Sequence, residues 1–171
     1  MPHIHVEDGQ YDYTVSGYIV HNDRTLLIRH KKLPIWGPAS GHIELHQNPI
    51  DALYMEIREE AGIQAEDLTL IETHTETNNF RRNTSSGKPS VRIPVPFDVD
   101  EHTYGELPHN HVDFGYILTS TTDVVIPEEG ESQEYKWFTD EELANFTETN
   151  TTIIDRCRYA LSYVAIHDIK N

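Results

Sequence analysis

The chain has 171 residues, with 29 Asp and Glu against 13 Lys and Arg and a formal net charge of −16. That length suits one well-buried core and is short for two domains, while the acidic balance argues against general binding to nucleic acid or to an anionic membrane. No apolar run is long enough to span a bilayer, MPHIHVEDG does not read as a signal peptide, and the single cysteine, Cys157, offers no disulfide framework, so a cytoplasmic location is expected.

Residues 1–10 read as an N-terminal arm containing His3 and His5. Residues 11–20 (YDYTVSGYIV) are rich in Tyr, Val and Ile and predict a strand, His21 to Arg24 supplies turn chemistry, and residues 25–30 predict the returning strand. A loop with two prolines, residues 31–38, leads to the next helix, whose limits are both legible. Asn48 is a good N-cap, Pro49 suits the first helical position, Asp51 completes an approximate capping box, and Gly62 supplies a left-handed C-cap followed by Ile63. Between them Ile50, Leu53, Ile57 and Ala61 recur at helical spacing as a buried stripe.

Further along, residues 67–77 predict a strand, and residues 78–89 (NNFRRNTSSGKP) a mobile polar insertion. Residues 90–97 predict an edge strand, since Pro94 and Pro96 cannot serve a central ladder. Residues 111–120 predict a buried strand, 134–138 a short one, and 140–146 a helix capped by Thr139. A longer helix over 153–169 has an inward stripe of Ile153, Ile154, Cys157, Leu161 and Val164. Strands and helices mix without strict alternation, which predicts a single α/β domain over residues 1–171, a mixed sheet between helices.

The chemistry concentrates in residues 41–63, GHIELHQNPIDALYMEIREEAGI. Glu56 faces Glu59 and Glu60 across one helical turn, off the buried stripe. Hard divalent cations seek such clustered oxygens, although a like-charge pair at this spacing costs only about 0.2–0.5 kcal/mol on an exposed helix. A solvated acidic face is the plain alternative. The Ser40-Gly41 pair upstream lets the backbone turn tightly and approach a ligand.

This segment resembles the Nudix box, G-x5-E-x7-R-E-U-x-E-E-x-G-U with U aliphatic. Gly41, Glu56, Ile57, Glu59, Glu60, Gly62 and Ile63 match it, whereas Gln47 stands at its first glutamate and Met55 at its arginine. The likeness extends to the turn Trp36-Gly37-Pro38 and to Glu131, Glu134 and Trp137 before a Phe-Thr-Asp-Glu-Glu-Leu helix start. It implies a Nudix-like α/β/α sandwich that binds Mg²⁺ or Mn²⁺. Glu56 and Glu60 would be the principal ligands, Glu59 a further ligand or the base, and a backbone carbonyl near Ser40 would complete the shell. The cation would neutralise diphosphate oxygens and help deprotonate an attacking water.

Gln47 keeps an acceptor oxygen without charge and Met55 keeps length without donors, so together they remove one charge of each sign. If the two positions touch, a pair has been deleted as a unit, which stability tolerates better than the loss of one partner. Around the box, Arg29 could pair with a substrate phosphate, His42 could approach one, and Gln47 could still contact the site. Arg81, Arg82, Lys88 and Arg92 could form a phosphate-steering lid. Glu131 is an alternative base to Glu59. His109, His111 and Asp113 alternate onto one side of an extended chain, as cleft-lining residues or, less simply, zinc ligands.

The reading is a divalent-metal-dependent hydrolase of a diphosphate linkage in a nucleoside diphosphate derivative or nucleoside triphosphate. Its partner is a small phosphorylated molecule, with a homodimer left open. The rival is a Nudix-like nucleotide sensor or partner-binding module that lost turnover through Gln47 and Met55. Isopentenyl diphosphate isomerase chemistry fits poorly, because Cys157 lies in the late helix.

Overall fold

Two 11-residue strands, β1 (Tyr11–His21) and β7 (Asn110–Ser120), run parallel through the middle of a mixed eight-stranded sheet, with Tyr11 opposite Asn110 and Val20 opposite Thr119. The computed structural model describes residues 9–31, 35–73, 92–103 and 109–169. In chain order the other strands are β2 (Arg24–Arg29), β3 (Trp36–Gly37), β4 (Ala39–His42), β5 (Leu68–Ile71), β6 (Asp98–His102) and β8 (Tyr135–Phe138). The helices are α1 (Pro49–Ala61), α2 (Asp140–Ala144) and α3 (Thr151–Ile166). The principal strand order is β3-β2-β1-β7-β5; β4 pairs with β1, β6 with β7 and β8 with β2, every pair but β1–β7 antiparallel.

Alternation along the strands divides the core into two layers. Val15, Ile19, Leu26, Ile28, Tyr116 and Leu118 face α1, where they meet Ala52, Leu53, Ile57 and Ala61. Tyr18, Val20, Leu27 and Ile117 face α2 and α3, where Leu143, Ile153, Cys157, Leu161 and Val164 cover them. Helices on both sheet faces make the sandwich α/β/α. Gly17 lets α1 sit close to β1, since a Cβ there would stand 3.0 Å from a methyl carbon of Ile57 and 3.1 Å from one of Leu53.

The helix limits follow from their caps. Asn48 accepts from the backbone N–H groups of Ile50 and Asp51, and Gly62 ends α1 at φ 70°. Thr139 and Glu142 form a capping box on α2, and Asn150 caps α3, so that α3 starts at Thr151 rather than at Ile153. The expected edge strand lies later than the sequence suggests: residues 92–97 form no ladder, and pairing begins at Asp98, once Pro94 and Pro96 are passed. Residues 1–8, the insertion at 78–89 and its Arg81, Arg82 and Lys88 lie outside the described residues. Among those described, no helix is long and apolar enough to cross a membrane.

Leu53 is fully buried at the α1–sheet contact. Leu53→Ala should cost about 2–5 kcal/mol of unfolding free energy, as cavity-forming core truncations do, measured by urea denaturation. A loss well below that range would mean the helix is not anchored through this side chain.

Candidate active site

Helix α1 lies with one edge against β4, where Ala39 joins its apolar side and two carboxylates meet the strand beyond it. The Glu56 carboxyl group occupies the space where a side chain at Gly41 would begin: a Cβ built on Gly41 would fall inside it. One turn on, Glu60 Oε2 accepts the backbone N–H of Ser40 at 2.9 Å. Burial and the neighbouring Glu60, Glu59, Glu131 and Glu44 raise Glu56 to about 8. Burial, opposed by the Ser40 hydrogen bond and reinforced by Glu131 and Glu59, raises Glu60 to about 7. Glu131, far from α1 along the chain, thus belongs to the same electrostatic cluster.

Glu60 and Glu131 open onto a cleft of about 530 Å³ on the α3 side of the sheet. Its rim carries Arg29, His30 and Lys31 from the end of β2, and its floor Ser16, Tyr18 and Asp113. Lys31 Nζ lies 3.4 Å from Glu131 Oε1, and Arg29 Nη1 3.0 Å from Glu134 Oε2. Asn150, Thr152 and Ile153 at the start of α3 close the far side together with Arg156. Arg156 is buried and is held by Asp98, by Asp100 at 3.1 Å and by Asp113 at 4.0 Å. Burial raises the Asp113 carboxyl above the ordinary range, while the Thr14 and Ser16 hydroxyls, donating to it at 2.8 and 3.0 Å, lower it.

The residues singled out from sequence divide accordingly. Glu56, Glu60 and the Ser40 backbone meet at one place, with Glu131 acting on both carboxylates. Glu59 is half-buried and turned toward Arg58 Nη2 at 3.3 Å, near enough to raise Glu56 and Glu60 but absent from the cleft lining. Arg29 is on the rim. His42 turns to the other side of β4 from Gly41, with its Nε2 3.4 Å from Asp12 Oδ2. Gln47 and Met55 do touch: the Gln47 amide Nε2 lies 3.1 Å from Met55 Sδ, and its Oε1 accepts the Glu44 N–H at 3.0 Å. Arg92 pairs with Glu72 at 2.5 Å and Arg82 lies outside the described residues. Sequence patterning does not single out Arg156, although a cation three residues after Ile153, beside a buried stripe, is the signal that could have found it.

The donor set fits a hard divalent ion. The converging groups are oxygens, they are partly desolvated, and a small cation relieves their mutual repulsion. Glu56 and Glu60 would hold such an ion, with Glu131 and Glu59 within electrostatic reach.

A family model for the NUDIX domain matches residues 11–157. A solved hydrolase of the NUDIX family from Clostridium perfringens is 32% identical, with a TM-score of 0.77 over 90% of this chain and 97% of that one. A C. elegans Ap4A hydrolase in a binary complex is 18% identical (TM-score 0.58, 91% and 96% covered). An E. coli dihydroneopterin triphosphate pyrophosphohydrolase is 17% identical (TM-score 0.61, 92% and 98% covered). At those lower identities the likeness speaks for the fold alone. No curated protein matches the chain. The chain belongs to the NUDIX family and is a hydrolase of the Nudix pyrophosphohydrolase type.

Two outcomes are expected. Gly41→Ala should displace the Glu56 carboxyl and weaken Mn²⁺ binding at least about 10-fold, as loss of ligand orientation does, in a titration followed by electron paramagnetic resonance. Unchanged binding would separate Glu56 from the metal. The second concerns pH. Glu56 and Glu60 titrate above their unfolded value of 4.5, so the cation-free folded state binds the extra protons and loses stability as pH rises from 4.5 to about 8. Thermal unfolding should therefore show cation-free wild type falling relative to Glu56→Gln across that window, with Mg²⁺ cancelling the fall. Parallel curves without Mg²⁺ would contradict the clustering.

Proposed function

We propose that the chain hydrolyses a diphosphate linkage in a nucleoside diphosphate derivative or a nucleoside triphosphate, with Mg²⁺ or Mn²⁺ bound at Glu56 and Glu60. The observation that carries this is the opening of the buried Glu60 carboxylate, with Glu56 packed behind it, onto a cleft of about 530 Å³ whose lining also carries Glu131, Lys31 and Arg29. A bound cation would supply charge neutralisation for the diphosphate oxygens and acidify a ligated water. Lys31 and Arg29, each paired with a carboxylate across the rim, exchange those partners for phosphate oxygens. Glu131 accepts the proton of the attacking water as its oxygen bonds to phosphorus, and the bridging oxygen leaves with the second phosphate-bearing product. Its place on the cleft lining, beside Glu60, favours Glu131 over Glu59 for that role. The rest of the rate comes from positioning, which a cleft built on a rigid sheet provides.

Phosphate release should be followed over nucleotide sugars, dinucleoside polyphosphates and nucleoside triphosphates, with and without Mg²⁺. Glu131→Gln should lower kcat by about 10²–10⁴-fold, the range for loss of a general base, and Glu59→Gln by much less. The reverse order would transfer the base to Glu59. Tight nucleotide binding by calorimetry without turnover of any compound would assign the chain to ligand sensing instead.

A further inference from the structure

On the α3 side of β4, one strand position beyond the glutamate cluster, lies a second group of ligating side chains. His42 ends β4, His111 lies on β7, His109 just precedes that strand, and Asp12 lies on β1 directly opposite His111. His109, His111 and Asp12 are buried, each 3–4% exposed. One ligand nitrogen from each of the three histidines lies within 4.8 Å of the others. We propose that His42, His109 and His111, with Asp12 beside His42, form a second metal site for a zinc-type ion, separate from the carboxylate site.

Distances support that assignment. A tetrahedral ion with bonds of about 2.0–2.1 Å sets its ligand atoms about 3.3–3.4 Å apart along each edge. His42 Nε2 stands 3.2 Å from His111 Nε2 and 3.4 Å from Asp12 Oδ2, so two edges already have that length. His109 places its ligand nitrogen within 4.8 Å of those of His42 and His111, while Asp12 reaches the group through His42. Asp12 is also oriented for the task. Its Oδ1 accepts the Tyr13 N–H at 2.9 Å, which leaves Oδ2 directed at His42.

Two buried polar atoms in the group lack a hydrogen bond. Among the described residues, neither Asp12 Oδ2 nor His109 Nδ1 has a hydrogen bond, and both are fully enclosed. With the His42 ring no nearer than 3.4 Å, the buried Asp12 oxygen is weakly compensated, and a bound cation between the two would remove the cost. Ligand chemistry selects the ion: three imidazoles and one carboxylate suit zinc and its neighbours, whereas the all-oxygen glutamate cluster suits Mg²⁺ or Mn²⁺. The site would tie β4 and the approach to β7 onto β1. The assignment does not depend on which phosphate compound the cleft takes.

The test uses the full chain, stripped with chelator and reloaded with Zn²⁺ or Co²⁺. A Glu56→Gln/Glu60→Gln variant removes the competing carboxylate site. It should bind one Zn²⁺ per chain by elemental analysis and give the intense visible absorption of tetrahedral Co²⁺. His109→Gln, and separately the partly exposed His42→Gln, should weaken Zn²⁺ by more than about 100-fold, beyond the 10–100-fold range of outer-shell changes, with unaltered circular dichroism. His42→Gln guards against misfolding of the buried variant. Absence of Zn²⁺ from the glutamate variant, an octahedral Co²⁺ spectrum, or equal binding by a folded histidine variant would each overturn the proposal.

Discussion

The site depends on carboxylates that are held together against their own repulsion. Isolated on an exposed helix they would cost little, because water screens them and the side chains splay apart. Here the freedom to splay is gone. Glu56 fills the space beside Gly41, and Glu60 is bonded to the Ser40 backbone. The energy that keeps them there comes from elsewhere. Ala52, Leu53, Ile57 and Ala61 bury the other side of the same helix, and Asn48 and Gly62 fix its ends. Apolar packing thus maintains an electrostatic arrangement that is unfavourable by itself and that a cation would relieve, as functional sites commonly hold locally strained chemistry.

The contact between Gln47 and Met55 shows how the box tolerates its departures. Replacing only one of the two family residues would leave a charge without its partner. Replacing both leaves an amide against a thioether, each neutral, and the Gln47 carbonyl is still used by the Glu44 N–H. The loop between β4 and α1 therefore keeps its shape by a different bond. The Glu56 and Glu60 carboxylates do not rely on either residue for their own anchoring, since Gly41 and Ser40 provide it.

The helix and the glutamate cluster were legible in the sequence because their determinants are local: caps, a 3.6-residue stripe and carboxylates one turn apart. The sandwich followed from the same motif by resemblance. The cleft was less legible because separate segments build it. Lys31, Glu131 and Arg156 meet only through the pairing of β2 with β8 and the packing of α3 on the sheet. The histidines give the sharpest contrast. Alternation leading into β7 puts His109, His111 and Asp113 on one side, yet Asp113 goes to the Thr14 and Ser16 hydroxyls while His42 arrives from β4. Strand periodicity fixes a face; strand pairing decides the neighbours.

Strand β4 joins these features. In four residues it presents Gly41 to Glu56 on one face, and Ser40 and His42 on the other. Its partner β1 carries Asp12 and Thr14 at the histidine end and Ser16 at the cleft floor. A shift of β4 along β1 by one residue would exchange its faces and remove the glycine from beneath Glu56. Register is therefore the quantity both sites require. The carboxylates demand a bare backbone at residue 41, and the histidine group demands His42 opposite Thr14, two residues along β1 from Asp12. A metal held between β4, β1 and the start of β7 would fix that register beside the cleft, at the end of β1 where Asp12 lies.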